Sequence, residues 1–395
     1  MVQMGSQWNK EVNEIIKQLR PELQELSEYI YDHPELGHEE VKSSKAHVEL
    51  LEKHGFTVEY PYLSIDTAFK AVYKGEKPGP SIAYLSEYDA LPGIGHGCGH
   101  NILGATDTGA GIVLSKLVDD IGGTVIVLGT PAEETNGDKV TMADAGTFDD
   151  IDVAFCTHPS DEYRASGTSM AMEAIEFRFY GKTAHAASSP FEGKNALDAC
   201  INFFNNVSTL RQQIHPSARV HGVIKSGGEA ANVIPDYSRA EFYVRAMDMP
   251  YLNRLREKVI RCAEAGALAA DCKMEWGHYE ASYKNLITNE TLSSLYNETM
   301  KALDINMITE PRESMGSLDM GNVSQVVPAI NPYFEITNGK AVSGHTTEFR
   351  ECTLTEEAYE AMEKTIEGLT LTAIDLIMDD SLLKQVKAEF EERMK

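Results

Sequence analysis

The order of apolar patterns predicts an α/β fold: a mostly parallel sheet, interrupted by an inserted ferredoxin-like α+β segment. Three observations carry this. First, SIAYLS (81–86), TVIVLGT (124–130) and DVAFCT (152–157) are apolar runs too short for helices and bounded by turn residues. Such runs suit strands buried on both faces, as in a parallel sheet covered by helices. Second, from about Met172 the pattern changes to alternation: EAIEFRFYG places Ile175, Phe177 and Phe179 on one face, as in a one-sided antiparallel strand. Third, α/β character returns after about residue 287, so the alternating segment lies inside the other fold.

Taken in order, residues 9–31 have helical periodicity, HPELGHEE reads as a polar turn, and 41–54 form a second helix ended by Gly55. Asn101 to Leu117 is a crossover helix between two sheet strands. After EAIEFRFYG come a helix (195–213), strands near 219–224 and 237–246, a helix (250–270) and a strand near 272–281. This β-α-β-β-α-β order is that of a split βαβ unit. The buried run AINPYFEI then precedes a Gly/Ser/Thr loop and a long helix, 355–378. The expected division is a catalytic domain over 1–171 and 288–395, with an inserted lid and dimerisation domain over 172–287. A chain of 395 residues exceeds what one core usually serves, which agrees with two domains.

Apolar content of 42% and charged content of 24% are ordinary for a globular protein. The net charge of -26 repels phosphate backbones and anionic lipid, so neither nucleic acid nor a membrane is an expected partner. MVQMGSQWNKEVNEIIKQLR lacks the apolar stretch of an export signal, and six scattered cysteines show no disulfide framework. Both point to a cytoplasmic protein with reduced thiols.

The chemistry is read from what ends each buried strand. SIAYLS runs into Glu87-Tyr88-Asp89, TVIVLGT into Pro131-Ala132-Glu133-Glu134, and DVAFCT into His158-Pro159. Ligands of open α/β sheets bind beyond the carboxyl ends of strands. One acidic residue after a strand is ordinarily a solvated turn, but Asp, Glu-Glu and His together at one sheet edge are not. Between the first two, GHGCGHN brings Cys98 and His100 two residues apart in a glycine-rich turn. Thiolate and imidazole are ligands for zinc and its neighbours. No second Cys/His pair lies near, so carboxylates and imidazoles from afar must complete the site, the composition of a catalytic centre. Glu133-Glu134 suits a division of labour between metal ligand and proton acceptor. The alternative, Cys98 as a nucleophile with His100 as its base, is disfavoured because neighbouring carboxylates raise a thiol pKa. A late loop, SGHTTE, offers His345 beside glycine, where an isolated His is ordinarily a surface turn residue.

HPELGHEE, EYDALPGIGHGCGHN, GTPAEE, THP, GKTAHAA, HGVI, GG, ANVIPDY, FYVRA and SGHTTEF occur in that order across almost the whole chain. Together they resemble the co-catalytic metallohydrolases that include aminoacylases, carboxypeptidase-G-type enzymes and auxin-conjugate amidohydrolases, in particular the aminobenzoyl-glutamate hydrolase and dipeptidase branch. The resemblance implies a metal-dependent hydrolase of the amide bond in N-acyl or N-aminoacyl amino acids. Within that reading Cys98, His100, Glu134, His158 and His345 bind two divalent ions, zinc or manganese, and Glu133 is the general base. Asp89 orients a metal-bound imidazole. His185, Asn232 and Arg245 match lid residues that contact the substrate carbonyl or carboxylate. The resemblance also implies a homodimer or higher oligomer built by the lid, with His185 reaching the partner's site. EAIEFRFYG is read as leaving an edge for that partner. The carboxypeptidase branch has a metal-binding His two residues before the DALP Asp, where this chain has Glu87. Cleavage of longer peptides, and a metal-loaded binding protein without turnover, are the rival functions, the latter opposed by the intact Glu133.

Overall fold

The computed structural model describes residues 7–312 and 314–395; the opening MVQMGS, part of the segment read for an export signal, lies outside the described residues. Contacts divide the chain into two units, Met1–Thr168 with Leu286–Ser314 and Asp319–Lys395, and Ser169–Asn285 with Met315–Leu318.

The strands, in chain order, are β1 (Thr57–Glu59), β2 (Phe69–Lys74), β3 (Ser81–Ser86), β4 (Thr124–Gly129), β5 (Val153–Phe155), β6 (His158–Ser160), β7 (Ala171–Tyr180), β8 (Arg219–Ser226), β9 (Tyr237–Ala246), β10 (Lys273–His278), β11 (Ala329–Ile330) and β12 (Tyr333–Glu335). In the first unit six strands run β1-β2-β4-β3-β5-β11. The β4–β3, β3–β5 and β5–β11 pairings are parallel, whereas β1–β2 and β2–β4 are antiparallel. β3 and β4 are parallel neighbours because a crossover helix, His100–Ser115, returns the chain between them. Every residue of that helix is buried. It packs against the helices Asn9–Asp32 and Glu356–Met378. The first of these is amphipathic: Val12, Ile16, Leu19, Leu23, Leu26 and Ile30 recur at helical spacing and are all buried.

Two apolar runs are interrupted where the pattern suggested continuity. DVAFCT forms a strand only over β5, and a new one starts at His158. AINPYFEI divides at Asn331-Pro332, where proline has no N–H for a ladder. β11 therefore pairs with β5, and β12 pairs with β6 in a separate two-stranded sheet. This step beyond β5 is what puts His158 on the site side of the sheet's end.

The second unit is a four-stranded antiparallel sheet in the order β10-β7-β9-β8. The helices Ala196–Leu210 and Met249–Ala269 cover one face. Phe177, Phe179, Phe203 and Phe242 fill that interface, with Phe203 centred 4.6 Å from Phe177 and 4.7 Å from Phe242. Truncating one such ring to alanine typically costs about 3–5 kcal/mol. The other face is polar, with Arg239 paired to Glu176 at 3.0 Å and to Glu241 at 3.1 Å. One expectation is corrected here. EAIEFRFYG lies in β7, which is hydrogen-bonded on both sides, by β10 and by β9, so it offers no edge. The edges are β10 and β8, and β8 exposes Val223 and Ile224.

Among the described residues no helix is long and apolar enough to cross a membrane. All six cysteines are free thiols.

Candidate metal centre

The loop after β3 curls back on itself before entering the crossover helix. Gly99 has φ of +82°, and a Cβ there would lie 2.6 Å from Pro159, the residue after His158. Only glycine satisfies both the left-handed backbone and this approach, which brings the Cys98-x-His100 turn against the His158 strand. His96, two residues before Cys98, is not part of the cluster. It is buried and its Nε2 donates to the Ile30 carbonyl at 3.0 Å, tying the loop to the first helix.

Two imidazoles are oriented through the same nitrogen. His100 Nδ1 donates to Asp89 Oδ1 at 2.9 Å, and His158 Nδ1 donates to the Pro159 carbonyl at 2.7 Å. Because carboxylate and carbonyl oxygens only accept, Nδ1 carries a proton in each ring, and the neutral ring has its lone pair on Nε2. His158 Nε2 is 3.4 Å from Cys98 Sγ. His100 Nε2 is fully buried and makes no hydrogen bond.

The TPAEE turn supplies the carboxylates. Ala132 has φ of +62°, a region costly for a residue with a Cβ. Its N–H is held by the buried Glu40 carboxylate at 2.8 Å, which also accepts from Thr67 Oγ1 at 3.0 Å. Burial lifts the Glu40 carboxyl to about 7, with the nearby Asp89 adding to the effect. Asp89 Oδ2 accepts the N–H of Glu134 at 2.9 Å, so one carboxylate positions both His100 and the Glu134 backbone. Glu134 Oε1 is 3.5 Å from His345 Nε2 without hydrogen-bond geometry. His345, on an exposed loop with φ of +63°, is anchored by its N–H to the Gly97 carbonyl at 2.8 Å.

Among the described residues, three sets of donor atoms lie within 4.8 Å of one another: Cys98, His100 and His158; Cys98, Glu134 and His345; Glu87, His100 and Glu133. Glu87 Oε2, His100 Nε2 and Glu134 Oε1 are buried without hydrogen-bond partners, which is costly in the absence of a cation. The residues therefore fit a pair of divalent ions. The electrostatics agree. Burial opposes charge on His100, yet Asp89 and Cys98 raise its pKa well above the usual imidazole range. Burial would raise Glu134, but His345 and His100 hold it at about 2. Burial, then Glu87 and Asp319, push Glu133 well above the usual carboxylate range. The Cys98 thiol is raised by burial first, with Glu134 and Glu133 adding and His100 opposing. That direction speaks against a free thiolate nucleophile.

His185, Asn232 and Arg245 belong to the second unit. The Asn232 carbonyl accepts the Ala186 N–H at 3.0 Å, which joins the GKTAHAA and ANVIPD loops. His185 is exposed, and its Nδ1 accepts the N–H groups of Ala187 and Ser188, each at 3.2 Å, which leaves the proton on Nε2. Arg245 lies over the Tyr243 ring at 5.5 Å and donates to Ser317 Oγ at 3.4 Å.

Several buried charged residues around the centre have no counterpart in the sequence reading. Glu40 ends HPELGHEE, which reads as a polar turn. Asp107 accepts from Thr157 N–H at 3.0 Å and Thr157 Oγ1 at 3.1 Å, fixing the residue before His158. A lone aspartate in the otherwise apolar run HNILGATDTGAGIVLS was a signal for it. Lys139 and Asp319 carried none.

A fold of this kind, with Cys, His and Glu donors gathered beyond the ends of its strands, defines a metallohydrolase. The model of peptidase family M20/M25/M40 matches residues 83–369, more than half of the chain. The chain is 40% identical to the Xaa-Arg dipeptidase of Mus musculus, over 93% of this chain and 88% of that one. It is 33% identical to one of the subunits of the p-aminobenzoyl-glutamate hydrolase of Escherichia coli, over 72% of this chain and 63% of that one. Among solved structures, a dinuclear metal-binding M20 peptidase from Bacillus subtilis superposes with a TM-score of 0.69 at 22% identity, covering 91% of this chain and 100% of that one. The chain belongs to peptidase family M20/M25/M40 and is a metal-dependent hydrolase of amide bonds.

Proposed function

We propose that the substrates are dipeptides and N-acyl amino acids, cleaved at the amide bond, with dipeptides ending in arginine foremost among them. The observation that carries the metal-centred reading is the pair of imidazoles pinned through Nδ1, with bare Nε2 atoms turned towards Cys98 and Glu87. The likeness to a protein named Xaa-Arg dipeptidase supports the substrate class, and the net charge of -26 favours approach of a cationic substrate.

Cys98, His100, Glu134, His158 and His345 are the residues to hold two ions, zinc or manganese. When bound, the ions supply Lewis-acid activation of water and of the amide carbonyl. Glu133 takes a proton from the attacking water and returns it to the leaving amine, a role suited to a carboxyl whose affinity for a proton is raised by burial and by Glu87. His185 donates from Nε2 to the developing oxyanion. Arg245 pairs with the substrate carboxylate, and Asn232 is a further polar contact for the substrate. The segment 172–287 serves as lid and dimerisation domain for a catalytic domain formed by 1–171 and 288–395. His185 serves the partner's site, and the protein works as a cytoplasmic homodimer.

A substrate panel with the metal-reconstituted protein checks this reading: Xaa-Arg dipeptides, β-alanyl dipeptides, acetyl-amino acids and aminobenzoyl-glutamate. Turnover is expected on at least one two-part substrate and not on peptides of five or more residues. Faster cleavage of the longer peptides would favour the oligopeptidase reading, and no turnover on any would favour a metal-loaded binding protein.

A further inference from the structure

We propose that Glu87 is a further donor of the metal centre, held as a one-oxygen donor by the buried Lys139–Asp319 pair. The proposal rests on the two-metal reading of the site and adds a residue to it.

Glu87 follows β3 directly and is 4% exposed. Its two oxygens have different surroundings. Oε1 is 2.7 Å from Lys139 Nζ and accepts from Cys156 Sγ at 3.4 Å. Oε2 is buried, has no hydrogen-bond partner, and faces His100 Nε2 at 3.2 Å. Lys139 is fully buried, and its ammonium is also 2.8 Å from Asp319 Oδ1. Asp319 Oδ2 accepts the Lys139 N–H at 3.3 Å as well.

A buried lysine needs one counter-charge, and Asp319 supplies it at both the backbone and the ammonium. Two carboxylates against one ammonium leave the group with an excess negative charge, and Oε2 is the atom without a partner. Directly opposite is His100 Nε2, the ring nitrogen that the bond to Asp89 leaves for a ligand. A carboxylate oxygen and an imidazole nitrogen 3.2 Å apart, away from water and without hydrogen-bond geometry between them, call for positive charge between or beside them. An ion at His100 provides that charge. Lys139 meanwhile occupies Oε1, so Glu87 cannot turn to chelate with both oxygens. Were Glu87 only a counter-ion for Lys139, nothing would require its second oxygen to be turned into the donor cluster.

The test uses full-length protein stripped of metal and titrated with cobalt(II), followed by calorimetry and by the visible spectrum of the bound ion. Glu87→Gln keeps the shape and removes the charge. It is expected to weaken cobalt binding at least 10-fold, roughly the lower end for loss of a residue supporting a metal site, and to change the spectrum. Lys139→Met, which frees Oε1, is expected to weaken binding about 10–100-fold. The double variant Glu87→Gln/Lys139→Met removes one charge of each sign. It is read in the same way if a single variant does not fold, with the same loss of affinity expected. Wild-type affinity and an unchanged spectrum in Glu87→Gln, or in the double variant, would overturn the proposal if Cys98→Ser still loses metal. Glu87 would then be a structural counter-ion. Absence of cobalt binding by the wild-type protein would instead refute the two-metal reading.

Discussion

Glu133→Gln is expected to lower turnover by about 10²–10⁴-fold, the usual cost of removing a positioned base, with metal content near that of wild type. Glu134→Gln is expected to do the reverse and lose metal. The two neighbours differ in what surrounds them. Glu134 is held at about 2 by His345 and His100 against its burial, so it remains an anion suited to ligation. Glu133 has Glu87, Asp319 and Glu134 as negative neighbours and is raised, so it retains affinity for a proton. The pair is entered through the left-handed step at Ala132, whose N–H Glu40 holds. Metal analysis and steady-state kinetics on both variants check the assignment. Near-normal turnover in Glu133→Gln with both metals present would reverse it.

His185→Ala is expected to cut turnover by about 10²–10³-fold, the cost of one oxyanion donor, without loss of metal. Backbone N–H groups from Ala187 and Ser188 take up Nδ1, so Nε2 carries the proton to be donated. If His185 acts across a dimer, mixing His185→Ala subunits with Glu133→Gln subunits restores activity, because one of the two hybrid sites then holds both residues. Subunit exchange without any recovery would place His185 in its own chain's site or outside catalysis. A dimer formed by edge-strand pairing would use β8 or β10, since β7 is paired on both sides.

The strands β3 and β4 were legible because each is an unbroken apolar run set off by turn residues, and the donors at their ends were legible because they follow at once. Less of β5 and AINPYFEI was readable. Hydropathy cannot tell one continuous strand from two that change sheet at a proline. The polar supports of the centre were the least visible. Glu40 acts on Ala132 across 92 residues, and Lys139 meets Asp319 across 180. Their local sequences, HPELGHEE and TNGDKVT, look solvated, and only tertiary burial makes them part of the site. Glu87 was noticed only for the histidine it replaces. Its role depends on which oxygen Lys139 takes, and that is geometry with no trace in spacing.

The most direct measurement is the number of divalent ions per chain, taken together with amide hydrolysis before and after exhaustive chelation. The expected result is two ions per chain in the wild type, loss of hydrolysis as they leave, and recovery on adding zinc or manganese. Cys98→Ser, which removes the thiol common to two of the donor sets, is expected to lower the metal content. Undiminished hydrolysis by protein shown to be free of metal, or full metal content in Cys98→Ser, would contradict a metal-centred site.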